Sequence, residues 1–493
     1  MIVRLILLTV GLCAATLSSY AQIQFQRVYG GDSYDVGKEV IQTSDDGYLI
    51  VGSSGSFDEE MGNQVLLLKT DDNGYLQWKR TYGEQFAERA ESIQETTDGN
   101  LIIGGLTERI GLSYQAYVLK VTMAGDTIWS NHFGGEQWDF CNQVVALDDG
   151  GAAMFGQTFS YGAGDGDFYL IRLNSDGDTL WTKTYGGTSL ETGESIAVAS
   201  DGGFVLAGTT ESFGAGKKDM YVVRTNSDGD TLWTKTFGGP EDDICKSVAT
   251  TADDGYVLAG SSYNHAPNPD KSVYLVIKDG GSSQWTKYDP YLGDNYWTNV
   301  LVEPGSGNVT VVGYNTEGLF GKEDGRIVRY GGLDGIWNGL AKDHGSSLND
   351  RFYDAKLTSD GGYIMLGSTE GFLNRFDDVY LVKGDDFGLS VNSELGVNEI
   401  AIGDNVFGVA IGPNPFSTER PTLFIQGYDE IVRQIKEPMT LHIFNAVGQM
   451  IIKQSVTSGS TPISSENLTQ GIYSYQLTSG RTILATGKAV SLR

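Results

Sequence analysis

The sequence predicts an all-β chain, a seven-bladed β-propeller of four-stranded blades followed by a small immunoglobulin-like β-sandwich. Two periodic series and the place where both break off carry that reading. Gly52, Gly104, Gly156, Gly208, Gly260, Gly313 and Gly367 return at intervals of 52 to 54 residues. Each closes a version of Asp-Gly-Gly-Tyr, three hydrophobic residues and Gly. Trp78, Trp129, Trp181, Trp233, Trp285 and Trp337 run in step, with Phe25 standing where the first Trp would. After Phe387 both series stop. A period near fifty residues marks a repeat architecture, in which each unit buries its apolar face only against its neighbours.

The unit between Glu191 and Asp243 shows the elements in order. Ser195–Ala199 is short and mostly apolar (strand a), and Ser200–Gly203 is a turn. Phe204–Gly208 follows (b), then the longer polar loop Glu211–Asp219. Met220–Thr225 (c), the tight turn Asn226–Asp230 and Thr231–Phe237 (d) complete the unit. β-Branched and aromatic runs between Asp-Gly and Gly-Gly turns are strands in hairpins. No apolar period of 3.6 interrupts them, which excludes a helical solenoid. Four antiparallel strands, repeated, make a propeller blade. Strands a, b and c occur seven times, ending at Tyr380–Lys383, whereas the first d strand, Ile23–Tyr29, precedes every a strand. The last blade must therefore borrow that N-terminal strand, a Velcro closure that removes two sheet edges.

Composition narrows the class. The 67 glycines accompany 40% hydrophobic residues, which suits a turn-rich fold and not a disordered chain. Residues 1–21 read as a signal peptide: Arg4, an apolar run Leu5–Leu17, and Ser19-Tyr20-Ala21 before the cut. Leu12 before Cys13 is too large for a lipobox, and no later stretch has the length of a membrane span. Cys141 and Cys245 stand two repeats apart, too distant for a disulfide and expected as buried free thiols. A net charge of −29 excludes nucleic acid and anionic membranes as partners. The chain is expected to be a monomer and to need no cofactor, with calcium the one ion its acidic loops would favour.

Residues 389–404 read as a polar linker between a propeller at 22–388 and a C-terminal domain at 405–493. That domain opens on Pro413-Asn414-Pro415-Phe416, continues through a strand turning at Gly448-Gln449, and reaches Gly471-Ile472-Tyr473. In this order the three motifs resemble the type A C-terminal sorting domain of the type IX (Por) secretion system of Bacteroidota. The segment 427–437 departs from the pattern as an insertion. The resemblance implies passage through Sec, an outer-membrane crossing handled by the type IX machinery, and release or anchoring at the surface. The repeats themselves, such as Ser212–Gly216 and Trp181–Gly187, are similar to secreted bacterial and archaeal propeller repeats, which adds to the fold and names no activity.

Two sets of residues are candidates for a site. Asp35, Asp139, Glu191, Asp243 and Asp350 stand at one place in the d–a loops, with Glu88 displaced by one. Preceding the innermost strand, they would ring the channel mouth and hold calcium or sugar hydroxyls, or else cap their own loops. Phe57, Tyr161, Phe213, Tyr263 and Phe372 recur in the b–c loops of the same face, as loop pins or as a stacking platform for carbohydrate. The Asp-Gly hairpin turns have Gly too early for an EF-hand, and no Glu follows. The Trp series, similar to the docking signature of quinoprotein propellers, reads as packing. His132, His265, His344 and His442 have no metal-binding spacing, and no nucleophile elbow or phosphate loop occurs. The sequence thus favours a non-catalytic binding or adhesion module for a glycan or an extracellular protein. A polysaccharide hydrolase or lyase using mouth carboxylates, or a structural surface component, remains the alternative.

Overall fold

A computed structural model describes residues 24–491, apart from 32, 58–62, 84–86, 110–112, 264–270, 278–282, 289–294, 317–321, 332–335, 347, 371–375, 387, 389, 391–397, 403–404, 413–421, 426–430, 434, 436, 446–448, 465–467, 470 and 481. Among these residues the chain is all-β and propeller-like, with nine four-stranded antiparallel sheets. Seven of them follow the repeat. The first runs Asp35–Gln42 (a), Tyr48–Ser54 (b), Gln64–Thr70 (c) and Leu76–Tyr82 (d), and the next five keep the same order. In the seventh, Asp350–Leu357, Tyr363–Thr369 and Asp378–Gly384 are completed by the N-terminal strand Phe25–Tyr29, with Phe25 opposite Lys383. The expected closure is therefore present.

Burial follows from strand order. Strands b and c are buried along most of their described length, and along all of it in three sheets, as Phe204–Thr210 and Asp219–Thr225 are. Strand d is more exposed, as in Thr231–Phe237, apart from the closing strand Phe25–Tyr29, which is mostly buried, and strand a alternates, as in Glu191–Val198. The a strands of successive sheets touch, and the last touches the first, so all seven face one axis. Apolar residues of adjoining sheets interlock between them, for example Phe155 and Phe168 with Leu206 and Tyr221. This is how a unit too small for a core of its own obtains one.

Each a strand also carries a β-bulge between its third and fifth residues. The fifth residue then reaches the neighbouring sheet. Glu39 accepts from Ile93 N at 2.8 Å, Ser92 from Val144 N at 3.1 Å, and Gln143 from Ile196 N at 2.7 Å. Ser195 and Ser247 accept from Val248 N and Val300 N, both at 3.2 Å. Asn299 donates to Asp354 at 2.9 Å, and Asp354 accepts from Val40 N at 3.0 Å, which joins the last sheet to the first.

The bulge also corrects the register of the glycine series. Opposite the third residue of the a strand stand Gly52, Gly156, Gly208, Gly260, Gly313 and Gly367, but in the second repeat Gly105, not Gly104. The first repeat is one residue longer than the even period suggests.

Beyond the repeats, one sheet is built from Asn398–Ile402, Asn405–Gly412, Thr422–Ile425 and Ser460–Pro462. The other joins Met439–Phe444, Met450–Ser455, Gly471–Ser479 and Thr482–Ser491. They share a core of Leu423, Leu441, Ile443, Tyr475 and Leu477, to which Ile431 of the insertion-like segment contributes.

Candidate functional site

The five predicted acids open the a strands instead of preceding them. Each pairs with the end of strand b, as Asp35 does with Ser54 and Glu191 with Thr210, and backbone bonds cross the sheet boundary at the same place: Asp35 N donates to Asp377 O at 2.7 Å, and Glu191, Asp243 and Asp350 donate likewise to Gly166, Lys218 and Glu323 at 2.8 Å. Glu88 occupies the same place, bonded to Asn63 O at 2.9 Å, so its displacement is the extra residue of the first repeat. All of these side chains are buried. Asp139 accepts from Gly135 N at 2.8 Å, from Ser160 Oγ at 2.7 Å and from the Thr158 hydroxyl. Glu191 accepts from Gly187 N at 2.7 Å and Thr210 Oγ1 at 2.6 Å, and Asp35 from Gly31 N at 2.9 Å and Ser56 Oγ at 2.6 Å. Asp243 accepts from Gly239 N at 2.8 Å, and Asp350 from Ser346 N at 2.6 Å. Each acid ties down the d–a loop ahead of it, and Asp35, Asp139 and Glu191 also reach the b–c loop of their own sheet. Burial pushes the Asp35 and Asp350 carboxyls above their ordinary range. Among the described residues no three His, Cys, Asp or Glu side chains gather as a cation site would require.

The loop aromatics divide. Tyr161 donates through its hydroxyl to Gly134 O at 2.9 Å, and its ring lies 6.0 Å from Tyr169. Phe213 lies 5.5 Å from Tyr221, and Phe57 sits under the Lys79 ammonium at 3.8 Å. Tyr263 is half-buried, and Phe372 lies outside the described residues. Tyr161 and Phe213 thus hold their loops to strand c.

A different set of rings presents an aromatic surface. Trp138, 53% exposed, lies 6.4 Å from Tyr114, 6.4 Å from Phe140 and 6.2 Å from Phe159. Phe140 is the second residue of its a strand and half-buried. Three sheets further round, Tyr296 holds that position and stacks on Tyr314 at 5.1 Å. The sequence did carry a signal for the first ledge, because Trp138 is out of step with the Trp series.

The bulged fourth residues form a ring that the repeat pattern did not flag: Lys38, Glu91, Asn142, Glu194, Lys246, Thr298 and Tyr353. Lys38 pairs with Glu91 at 3.1 Å and Lys246 with Glu194 at 2.6 Å. Asn142 donates to Gly193 O at 2.6 Å and Thr298 to Phe352 O at 2.9 Å, while the Lys38 ammonium lies 5.2 Å from the Tyr353 ring. Burial, opposed by Lys246 and reinforced by the Glu91 charge, raises the Glu194 carboxyl.

Cys141 and Cys245 are free and buried, and burial pushes both thiols up to about 12, which leaves them unreactive. In the C-terminal part, Tyr473 is buried and donates to Thr469 O at 2.9 Å, and Gly471 opens its strand. Pro413, Asn414, Pro415, Phe416 and Gly448 lie outside the described residues.

Comparison with known proteins identifies one of these parts. The model of the secretion system C-terminal sorting domain matches residues 412–490. The chain therefore carries a type IX sorting tail and is exported to the cell surface or beyond it. Over 140 residues it is 29% identical to the regulatory protein FlaEY of Caulobacter vibrioides, a match covering 25% of this chain and only 15% of that protein. Among solved structures, PorZ, an essential surface component of the type IX secretion system of Porphyromonas gingivalis, is 11% identical with a TM-score of 0.42. That match covers 94% of this chain and 60% of PorZ. The WD40 domain of Neurospora crassa Pan2 is 10% identical, TM-score 0.47, over 76% of this chain and 99% of that one. No helix among the described residues is long and apolar enough to cross a membrane.

Proposed function

We propose that residues 22–388 are a seven-bladed β-propeller that binds glycan, joined by the linker 389–404 to an immunoglobulin-like sorting domain at 405–493. Seven repeat sheets facing one axis, stitched at every junction and closed by Phe25–Tyr29, support the blade count. The observation that carries the binding reading is the Trp138 ledge. An indole more than half exposed, braced by three other rings, offers a flat apolar face of the kind that sugar rings stack on. The hydrolase alternative needs two carboxylates in an open cleft. Asp167 and Glu191, the two acids that flank Gly186, are both buried.

The test is binding of the purified full chain to a panel of polysaccharides and glycoproteins, in calcium and in EDTA. Binding to a polysaccharide that falls about fivefold to tenfold on Trp138→Ala and persists in EDTA is expected, stacking being worth roughly 1–1.5 kcal/mol. Binding only to glycoprotein polypeptide would substitute a protein ligand. Loss in EDTA, reproduced by Asp139→Asn with Asp243→Asn, would return the site to the acid series and calcium.

A further inference from the structure

At three sheet boundaries the acid that opens strand a faces a second acid, which opens strand c of the sheet before it. Asp167 and Asp219 hold that second position in the third and fourth repeat sheets, and both are buried. A Cβ placed on Gly186 would lie 2.0 Å from Asp167 Oδ1 and 2.3 Å from Glu191 Oε2. The two oxygens are no farther apart than those distances laid end to end. Gly238 stands in the same way between Asp219 Oδ1 and Asp243 Oδ2, at 2.2 and 2.7 Å, and Gly345 between Asp324 Oδ1 and Asp350 Oδ2, at 2.9 and 2.8 Å. The loop bonds leave the facing oxygen of Asp167 and of Asp219 out. Asp167 accepts from Ala163 N at 2.8 Å and Gly164 N at 3.3 Å, both through Oδ2. Asp219 accepts from Ala215 N at 3.1 Å and Gly216 N at 3.0 Å, again through Oδ2.

We infer that Asp167 and Glu191, and likewise Asp219 and Asp243, each hold one shared proton, a clasp between sheets that opens when the proton passes to water. Two ionised carboxylates this close and out of water would repel, and one proton between them removes the repulsion. The first two boundaries show the partner such an acid takes. Gln64 and Gln115 open strand c there, so Glu88 and Asp139 face a neutral amide, and Gln64 Nε2 donates to Glu88 Oε2 at 3.5 Å. An aspartate matches that neutral donor only as the protonated acid. Among the described residues the charge acting on Asp167 is that of Glu191, and on Asp219 that of Asp243. Burial first, and these charges with it, raise both aspartates. Burial and then the Glu191 charge push the nearby Tyr221 hydroxyl up to about 12, so it stays neutral. Lys217 and Lys218, beside Asp219, pair with Glu241 at 2.7 Å and Glu211 at 3.4 Å. Because Asp167 holds its b–c loop and Glu191 holds the next d–a loop through Gly187 N, the shared proton ties the loops of neighbouring sheets together.

The experiment is urea unfolding of the full chain, Asp167→Asn and Asp219→Asn, from about pH 5 to about pH 8. Asparagine keeps an oxygen for the loop N–H groups and gives the facing acid a permanent donor. Above the ordinary aspartate value of 3.8 the folded parent keeps a proton that the unfolded chain has released. The clasp's contribution is therefore complete below 3.8 and is lost as pH rises through the folded value. The parent's urea midpoint should fall with rising pH more steeply than that of either variant. Infrared difference spectra at mildly acid pH should show the carbonyl band of a protonated carboxyl, which Asp167→Asn removes. If Asp167→Asn does not fold, Glu191→Gln neutralises the same pair from the other side and should flatten the profile equally. Parallel midpoint profiles, or a carbonyl band left intact by the substitution, would overturn the proposal. So would a parent whose fall disappears on adding calcium, since a cation would then hold the pair in place of a proton.

Discussion

A Cβ placed on Gly208 would lie 2.0 Å from the carbonyl oxygen of Thr192, and one on Gly367 would lie 1.7 Å from Arg351 O. These contacts explain why the glycine series exists. The bulge in strand a turns the carbonyl before it onto the facing strand, and only a residue without a side chain leaves room. The glycines of the Asp-Gly-Gly turns answer to a different constraint. Gly202 has φ +77° and nothing within 4 Å of where its Cβ would sit, so conformation alone selects it. The two kinds should separate on mutation. Gly208→Ala is expected to lower stability by about 3 kcal/mol or more, since backbone must move, whereas Gly202→Ala should lower it by about 1 kcal/mol. Urea melts of the two variants decide this, and equal losses would remove the bulge as the cause.

The element that recurs most faithfully after the bulge is a clamp between strand c and the a–b turn. Lys69 reaches Asp45 at 3.0 Å, Lys120 reaches Asp98 at 2.8 Å, Arg224 reaches Asp201 at 2.7 Å and Lys383 reaches Asp360 at 3.0 Å; Arg172 pairs with Asp149. The cation is buried and the acid is at the surface, which makes the pair asymmetric. Hydrogen bonds from Lys120 and Thr96 hold the Asp98 carboxyl well below its usual range. Removing the acid strands a buried ammonium, whereas removing the ammonium frees an acid that water can solvate. Asp98→Ala is therefore expected to destabilise by about 1–3 kcal/mol and Lys120→Met by less, measured by thermal melts at neutral pH. The turn acid was visible in the sequence as part of a recurring phrase, because turn chemistry is local. Strand order and closure were equally legible, since counting strands needs no contacts. The bulge was not, because Ser195–Ala199 alone reads as an ordinary short strand and the extra residue shows only against the partner register. The ring of fourth residues stayed hidden for the opposite reason to the glycines: it carries a different residue type in most repeats, so nothing recurs to be noticed. Trp138 was visible as an out-of-step Trp, but only neighbouring strands bring Tyr114, Phe140 and Phe159 beside it.

At the scale of the whole molecule, closure and exit are one hydrogen-bonded assembly. Tyr380 donates to Gln26 Oε1 at 2.5 Å, and Gln26 Nε2 donates to Ser390 Oγ at 2.8 Å. Ser390 Oγ lies 3.0 Å from His344 Nδ1, and His344 Nε2 lies 2.9 Å from Gly388 O. The N-terminal strand thus grips the chain as it leaves the last sheet. Burial favours the neutral ring, which fits these partners with Nε2–H donating to the carbonyl and Nδ1 accepting from the serine hydroxyl. Burial holds His344 down at about 4, against 6.5 in an open chain. The sign of the linkage follows. Above pH 6.5 neither state carries the proton and the clasp contributes fully. As pH falls below 6.5 the unfolded chain takes up a proton that the folded chain refuses until about pH 4, so stability is lost across that window. One proton over this interval amounts to about 3 kcal/mol. Burial raises other carboxyls toward this window, those of Asp35, Asp350 and Asp354 among them, so the informative quantity is a difference. His344→Gln keeps one donor and one acceptor but no titration, and its stability should fall less steeply between pH 6.5 and pH 4 than the parent's. Parallel profiles would mean that the clasp stays closed when His344 is protonated, and that the exit of the propeller is held by the strand pairing of Phe25–Tyr29 alone.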